Sequence, residues 1–449
     1  KKENGIILSF FVLLGFFLRL QAAAAVPIVW DEAYHDLPVA KTISFSFKNP
    51  NLPLIDKEPE NSPMAGKYLI RLGWYVFGDS LLGARIPFVI ISSVTILFLY
   101  LFLKSILGIA SALIASFVLA VSQYSIGTSR LADPTNSVCL FFTLISLFIF
   151  YKALNDSRKY LFLLNGLIIG IGCWFKENIA FLFPICVIFL LIYPEYRRFL
   201  KEKYFWLSLI LTILVTAPLF FLSLLTGVLR YKYMLKVSTI GLSLNSCALY
   251  LGELILLMLK PFPKLFDFVA STLETEIPPE NFFIGLLILV SLVILFKDKR
   301  QLIRLMVTCF LFNFLLFSLV RKVYYKEGVN TIWHMGGHDW GNMGIVPGII
   351  LSAEVLKNLI MKYGRFGKAL FVFFVLAVLI RALVFVQSPI YAYFPAKDFF
   401  IRNHCFWFAD YLYNRGEKEY AKGVLRGIYN ASAGNTEFRK RAGEELSKI

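Results

Sequence analysis

The segment Trp30-Asp31-Glu32-Ala33-Tyr34-His35 directly follows an apolar run from Gly5 to Ala25. That run is long enough to cross a bilayer as a helix, since about 20 apolar residues suffice, and we expect it to be a retained anchor. Asp31 and Glu32 therefore stand where a membrane helix emerges into water. Carboxylates at that depth are costly unless they face a polar cavity, so the pair marks a candidate functional site.

The composition predicts an all-α, polytopic membrane protein. Of the 449 residues, 58% are hydrophobic and only 17% are charged, whereas a soluble domain has about 25% charged residues. The net charge of +17 comes from basic residues that cluster in short connections between apolar runs, where the positive-inside rule places them. Membrane lipids and lipid-linked phosphates explain this charge more simply than nucleic acid, which we exclude as a partner.

Apolar runs separated by charged connections predict about eleven transmembrane helices. The predicted spans are 5–25, 84–103, 107–124, 135–151, 160–174, 177–193, 205–225, 281–296, 302–320, 342–360 and 368–387. Basic residues fall in alternate connections, which predicts a cytoplasmic N-terminus and an extracytoplasmic C-terminus. The transmembrane domain, 1–387, then has outer loops at 26–83, 226–280 and 321–341. We interpret 226–280 as a loop with interfacial or re-entrant helices; a twelfth, tilted span is the alternative.

The C-terminal region, 388–449, changes character and predicts a small helical appendage on the extracytoplasmic side. Its periodic segments are 397–415, 418–429 and 436–446, separated by glycine-containing breaks. We expect it to pack on the membrane domain. Four cysteines lie in apolar runs and are predicted to be small core residues: Cys139, Cys173, Cys186 and Cys309. Cys247 and Cys405 fall in outer segments and could form a disulfide.

Cations and carboxylates recur at the predicted outer helix ends. They include Lys67, Arg85, Arg130, Asp133 and Lys176. Lysine offers a point charge and arginine a bidentate fork to phosphate oxygens, so this set suits a phosphate-bearing substrate. Two simpler interpretations stay open. Each basic residue could be a snorkelling headgroup anchor, and Asp31-Glu32 could cap an interfacial helix.

The order and spacing of these motifs resemble a known family. After the acid pair and Tyr34 come a proline turn into Gly66-Lys67, the segment Arg85-Ile86-Pro87, Arg130 before Asp133, and finally Lys176. This order is similar to the GT-C superfamily of polyprenyl-phosphate-sugar transferases, in the branch with protein O-mannosyltransferases and bacterial aminoarabinose (lipid A) transferases. One departure is the turn itself, which reads Asn61-Ser62-Pro63 where the family usually has His-Pro-Pro.

The resemblance implies an inverting glycosyltransferase with the GT-C fold, acting on the extracytoplasmic face of a prokaryotic plasma membrane. It implies a polyprenyl (undecaprenyl or dolichyl) phosphate-linked hexosyl or pentosyl donor and an acceptor hydroxyl on a lipid, glycan or protein. Asp31 is then the base that takes the hydroxyl proton, with Glu32 and Asp133 orienting substrate or adjusting that base. The positive groups that stabilise the leaving phosphate are Lys67, Arg85, Arg130 and Lys176.

The outer loop Trp333-His334-Met335-Gly336-Gly337-His338-Asp339-Trp340 is the second conspicuous stretch. His334 and His338 could ligate a divalent metal, the one cofactor that the sequence suggests, although the two glycines break a helix that would align them. The aromatic and glycine content equally suits contact with a sugar. The predicted substrate-contacting residues are Tyr34, His35, Trp333, His334, His338 and Asp339.

Two rival functions stay open. One is a GT-C enzyme with a different donor, acting on cell-envelope polysaccharide or lipid. The other is a transporter or flippase of a lipid-linked or anionic substrate. The transporter reading fits less well, because the charges sit at helix ends and matching broken helices in two halves are not evident. A binding preference for polyprenyl phosphate over bulk phospholipid discriminates the enzyme from the transporter.

Overall fold

A computed structural model describes residues 2–25, 32, 36–46, 50–53, 63–132, 134–156, 158–225, 238–240, 282–326, 329–334, 342–387, 406, 409–410, 413, 418–431 and 436–448. Helices dominate these residues. They are α1 Lys2–Ala25, α2 Leu37–Thr42, α3 Met64–Phe77, α4 Leu81–Lys104, α5 Ile109–Val121, α6 Gln123–Ser129, α7 Pro134–Asn155, α8 Tyr160–Cys173, α9 Leu182–Ile192, α10 Lys203–Leu225, α11 Phe282–Leu295, α12 Gln301–Leu319, α13 Asn342–Gln387, α14 Lys418–Ala431 and α15 Thr436–Lys448, with 3₁₀ helices at Glu177–Phe181 and Pro194–Lys201.

Every predicted span falls on helical structure, so the multi-pass helical membrane architecture is confirmed. Four helices of the described chain are long and apolar enough to cross a membrane, or up to six if each bent pair is one span. The number of crossings therefore stays a prediction. The last two predicted spans share α13, which bends at Gly364, where φ is 51°. Glycine accepts this positive φ at little steric cost, so the two predicted spans meet at a kink within one long helix.

Close helix packing depends on small residues, as is usual in membranes. A Cβ on Gly166 of α8 would overlap the backbone of Ser208 on α10. On α3, a Cβ on Gly73 would meet the Pro87 ring of α4. The predicted core cysteines are confirmed as buried free thiols: Cys139, Cys173, Cys186 and Cys309. Cys247 and Cys405 lie outside the described residues.

A buried carboxylate network, here called the Glu354 network, ties α5, α13 and the α11–α12 connection. Glu354 is fully buried and accepts hydrogen bonds from Ser111 Oγ at 2.8 Å and Lys357 Nζ at 2.7 Å. Arg300 Nη1 also donates to it, while Arg300 Nη2 lies 2.7 Å from Asp298 Oδ2. Ser111 lies in the first turn of α5, and α4 runs from Arg85 towards this end, so the network lies at the far end of α4 from Arg85.

A small antiparallel sheet is the one sheet that the described residues contain. Its strands are β1 Ser238–Ile240, β2 Val320–Lys326 and β3 Val329–His334, in the order β1-β2-β3. The hairpin is rich in valine, isoleucine, threonine and tyrosine, which favour strands. The sheet joins the predicted outer loops 226–280 and 321–341; the interfacial helices predicted for 226–280 lie outside the described residues.

The C-terminal region is helical where it is described. α14 and α15 correspond to the predicted segments 418–429 and 436–446, and residues 406, 409–410 and 413 of the first predicted helix are also helical. Arg439 lies over the Tyr429 ring at 4.7 Å, and Arg441 lies over the Phe406 ring at 4.2 Å. These cation–π contacts connect the three segments. The domain boundary at 387 and the packing of this region on the membrane domain stay predictions.

Candidate active site

Glu32 and Arg85 form a fully buried ion pair. Arg85 lies in the first turns of α4, whose start is capped by Ser80 Oγ accepting from Gly83 N at 3.0 Å. Arg85 Nε donates to Glu32 Oε1 at 2.8 Å, and Nη2 donates to Oε2 at 2.5 Å. This two-point geometry is the strong form of an arginine–carboxylate contact.

The same pair joins three separate segments of the chain. Arg85 Nη1 donates to the carbonyl oxygen of Ala23 at 2.8 Å, in the last turn of α1, where carbonyls lack helical partners. The backbone N–H of Ala132, in the turn between α6 and α7, donates to Glu32 Oε1. Glu32 therefore holds together the end of α1, the start of α4 and the turn that follows Arg130.

Lys67 and Asp36 form a second buried pair, with Lys67 Nζ 3.9 Å from Asp36 Oδ1. Asp36 directly precedes α2, and Lys67 lies in the first turn of α3. The N–H of Ala65 donates to the carbonyl of Trp174 at 3.1 Å, which brings the start of α3 to the chain just before Lys176. Sequence reasoning missed Asp36, although a third carboxylate close after Asp31 and Glu32, beside an apolar run, was a visible signal.

All four predicted phosphate-binding cations are buried. Their exposed fractions are 0% for Lys67 and Arg85, 4% for Arg130 and 9% for Lys176. A headgroup anchor keeps its charged end in water, so burial counts against the snorkelling interpretation for each of them. Buried charges are retained at a cost and usually mark functional positions in membrane proteins. The four cations therefore lie inside the protein and not on its lipid-facing surface; their membership of one phosphate site stays a prediction.

The remaining predicted site residues are described in part or not at all. Asp31, Tyr34, His35, Asp133, His338 and Asp339 lie outside the described residues. The backbones of Trp333 and His334 belong to β3, opposite Lys322 and Arg321 of β2. Within the described part of the chain, no group of three or more His, Cys, Asp or Glu residues could hold a metal ion. Metal binding by His334 and His338 stays a prediction.

Arg19 is a buried cation that sequence reasoning missed. It is fully buried in α1, and it stands alone among uncharged residues from Asn4 to Ala25. A charge inside an apolar run was the signal that could have singled it out. Arg19 lies one helical turn before Ala23, the residue whose carbonyl accepts from Arg85.

The chain matches the sequence model of the dolichyl-phosphate-mannose-protein mannosyltransferase family over residues 61–221. That range contains all four buried cations of the predicted phosphate site. The undecaprenyl phosphate-alpha-4-amino-4-deoxy-L-arabinose arabinosyl transferase of Pseudomonas aeruginosa is 32% identical over 165 residues, covering 35% of this chain and 29% of the relative. The chain thus matches less than a third of the length of this curated relative.

Two solved structures share the fold. ArnT from Cupriavidus metallidurans, solved with undecaprenyl phosphate, aligns with a TM-score of 0.58 and 13% identity, covering 98% of this chain and 79% of ArnT. The oligosaccharyltransferase of Archaeoglobus fulgidus, in complex with zinc and sulfate, aligns with a TM-score of 0.55 and 16% identity, covering 92% of this chain and 57% of that one. The chain thus shares its fold with these two solved structures.

Proposed function

We propose that the chain is an inverting membrane glycosyltransferase that moves a sugar from a polyprenyl-phosphate-linked donor to an acceptor hydroxyl. The observation that supports this most is the burial of four cations at the ends of α3, α4, α6 and α8, two of them paired with buried carboxylates, within an ArnT-like fold. A phosphate group is the natural anion for such a set, because charge-assisted contacts strengthen where water is excluded.

The proposed reaction breaks the bond between the anomeric carbon and the lipid phosphate oxygen. The acceptor hydroxyl attacks from the opposite side, its proton goes to Asp31, and the phosphate leaves with the bonding electron pair. Lys67, Arg130 and Lys176 stabilise the charge that develops on the departing phosphate, which is usually the largest catalytic effect. Asp133 is assigned to orienting the substrate.

Glu32 and Arg85 receive a different role from the one that the sequence predicted. Arg85 directs Nε and Nη2 to Glu32 and Nη1 to Ala23. A guanidinium engaged in this way is better suited to holding the site together than to binding phosphate. We therefore assign the pair to fixing the backbone next to Asp31 and Asp133.

The donor and the location follow the same relatives. One similarity is to a mannosyltransferase family and another to an arabinosyl transferase, so hexosyl and pentosyl donors on undecaprenyl or dolichyl phosphate are both candidates. We place the enzyme in a prokaryotic inner membrane. The N-terminus is assigned to the cytoplasm, and the site and C-terminus to the extracytoplasmic side.

Native mass spectrometry of the purified full chain with undecaprenyl phosphate and bulk phospholipid tests the proposal. Wild type should retain the polyprenyl phosphate preferentially. Lys67→Ala and Lys176→Ala should each weaken retention about tenfold, the effect of losing one charge-assisted contact. Lys159→Ala is the matched control, because this lysine is 55% exposed and pairs with Glu202 at the end of α8 remote from Lys176.

A second experiment, with a sugar-loaded polyprenyl phosphate donor, distinguishes lipid binding from sugar transfer. Asp31→Asn should retain the lipid and reduce transfer by about 10²- to 10⁴-fold, the usual contribution of a general base. Normal turnover in this variant would remove Asp31 from the mechanism. A wild-type chain that shows no preference for polyprenyl phosphate over phospholipid would overturn the glycosyltransferase proposal and favour a transporter.

A further inference from the structure

Arg19 uses its whole guanidinium inside the helix bundle. Nε donates to Ser92 Oγ on α4 at 2.8 Å, and one bond from Nη1 reaches the carbonyl of Gly15 at 2.9 Å. With three further hydrogen bonds to α5 and α6, the number of bonds equals the five N–H donors that an arginine has. The side chain is fully buried. A buried arginine whose N–H donors are all used in hydrogen bonds is more ordered than a charge that the fold merely tolerates.

The three remaining bonds cross a bend in the chain. α5 ends at Val121 and α6 begins at Gln123, and their axes differ by 54°. On one side, Nη1 and Nη2 donate to the carbonyls of Ala120 and Leu119, each at 2.9 Å. On the other side, Nη2 donates to Ser125 Oγ at 2.8 Å. The last carbonyls of a helix lack helical partners and favour a nearby cation, so Arg19 connects both sides of this break.

The far side of the bend carries part of the candidate site. α6 ends at Ser129, and Arg130 follows it directly. Two residues further on, the N–H of Ala132 donates to Glu32. Because α6 is only 7 residues long and wholly buried, its direction decides where Arg130 and Ala132 lie.

We propose that Arg19 is a positioning residue for the transfer reaction. It fixes the α5–α6 bend and thereby sets Arg130 against the donor phosphate and Ala132 against Glu32. The catalytic part of this inference rests on the proposed function; the mechanical part, that Arg19 determines the direction of α6, does not.

Two serines that accept hydrogen bonds from Arg19, Ser92 and Ser125, provide a pair of matched variants for the test. Replacing Arg19 itself would leave several buried oxygens without donors and could prevent folding. Ser125→Ala removes one hydroxyl beyond the bend, and Ser92→Ala removes one hydroxyl on α4. Each accepts from the same guanidinium at 2.8 Å, so a general loss of stability should be similar in both variants.

The full-length variants are compared in lipid nanodiscs for kcat, KM for the donor and melting temperature. Ser125→Ala should lower kcat about tenfold or more, since small displacements of catalytic groups have large effects. Ser92→Ala should retain kcat and KM close to wild type, with a similar melting temperature. Equal kinetic effects in the two variants, or none in either, would overturn the proposal.

Hydrogen exchange of the amides at 123–132 gives a readout that does not need turnover. Ser125→Ala should increase exchange in this segment, whereas Ser92→Ala should leave it as in wild type. Unchanged exchange in Ser125→Ala would overturn the positioning role even if its activity fell. The predicted exchange difference in a chain that transfers no sugar would support the mechanical role and refute the proposed function instead.

Discussion

The two ends of the helix bundle each contain a buried carboxylate, but its partners differ in their exposure to water. At one end, Glu32 and its partner Arg85 are both 0% exposed. At the other, Glu354 is 1% exposed, but its partners Arg300 and Lys357 are 43% and 23% exposed. Water can therefore reach the cations of the Glu354 network and replace a lost contact there. Water does not reach the Glu32–Arg85 pair, so it cannot replace a lost hydrogen bond there. Loss of either partner should therefore lower the stability of the protein more than loss of a partner of Glu354.

The largest expected difference comes from removing the arginine at each end. Arg85→Gln leaves the Glu32 carboxylate buried without its counter-charge, which should lower the free energy of unfolding by about 3–5 kcal/mol. Arg300→Gln should cost distinctly less, because Lys357 Nζ remains 2.7 Å from Glu354 and water reaches the site. Denaturant titration of both variants in the same detergent measures the two effects.

The double variant Glu32→Gln with Arg85→Gln tests how much of the lost stability is due to the unpaired buried charge. Two neutral amides remove the unpaired buried charge that Arg85→Gln alone leaves behind, so a large part of the lost stability should return. Transfer activity should stay low, because the backbone near Asp31 and Ala132 loses its bidentate fixation. Equal destabilisation by Arg85→Gln and Arg300→Gln would show that the two ends do not differ in the way that their exposure indicates.

A smaller effect is expected from adding one methyl group near Arg19. A Cβ on Gly15 would lie 2.5 Å from Ile96 Cδ1 and 3.0 Å from Arg19 Nη1. Gly15→Ala should therefore lower the free energy of unfolding by about 1–3 kcal/mol, the usual cost of overpacking. Gly5→Ala is the control on the same helix, since a Cβ there would meet nothing within 4 Å, and it should be neutral or slightly stabilising. Equal melting temperatures would show that α1 can shift away from α4 without penalty.

The smallest effect concerns Asp298 beside the Glu354 network. Burial raises the pKa of this carboxyl, but the hydrogen bonds from the Arg300 side chain and backbone outweigh it, and the pKa lies below its usual range. A lowered pKa contributes stability above the unfolded value, and this contribution is lost as the pH falls below about 4. Asp298→Asn should lower the melting temperature slightly at pH 7 and not at about pH 2. High salt should reduce the difference, because Arg300 is partly exposed.

The sequence predicted most of the membrane architecture because long apolar runs are a strong signal. It also predicts which charged residues lie at helix ends, because each interrupts or borders an apolar run: Lys67, Arg85, Arg130 and Lys176. It could not show that Arg85 is directed to Glu32 and Ala23, since that pairing depends on how α1 meets α4. Arg19 was overlooked for the same reason: its partners on α5 and α6 lie about 100 residues away.

The hairpin at 320–334 was missed for a different reason. Its segments are short and mix lysine and arginine with valine and tyrosine, so they read as a polar connection between spans. Val320–Lys326 pairs with Val329–His334 and also with Ser238–Ile240, and no local pattern indicates this third strand, which lies far earlier in the chain. Propensity alone was too weak to decide this.

That sheet has a consequence for how the protein is made. Ser238 pairs with Lys322, and Ile240 pairs with Val320, so β1 leaves the ribosome well before its partner strand exists. During synthesis, α11 and α12 must both be in place before the strand can close. The sheet is therefore completed late, and a chain stalled between β1 and β2 would have its early helices but not the sheet.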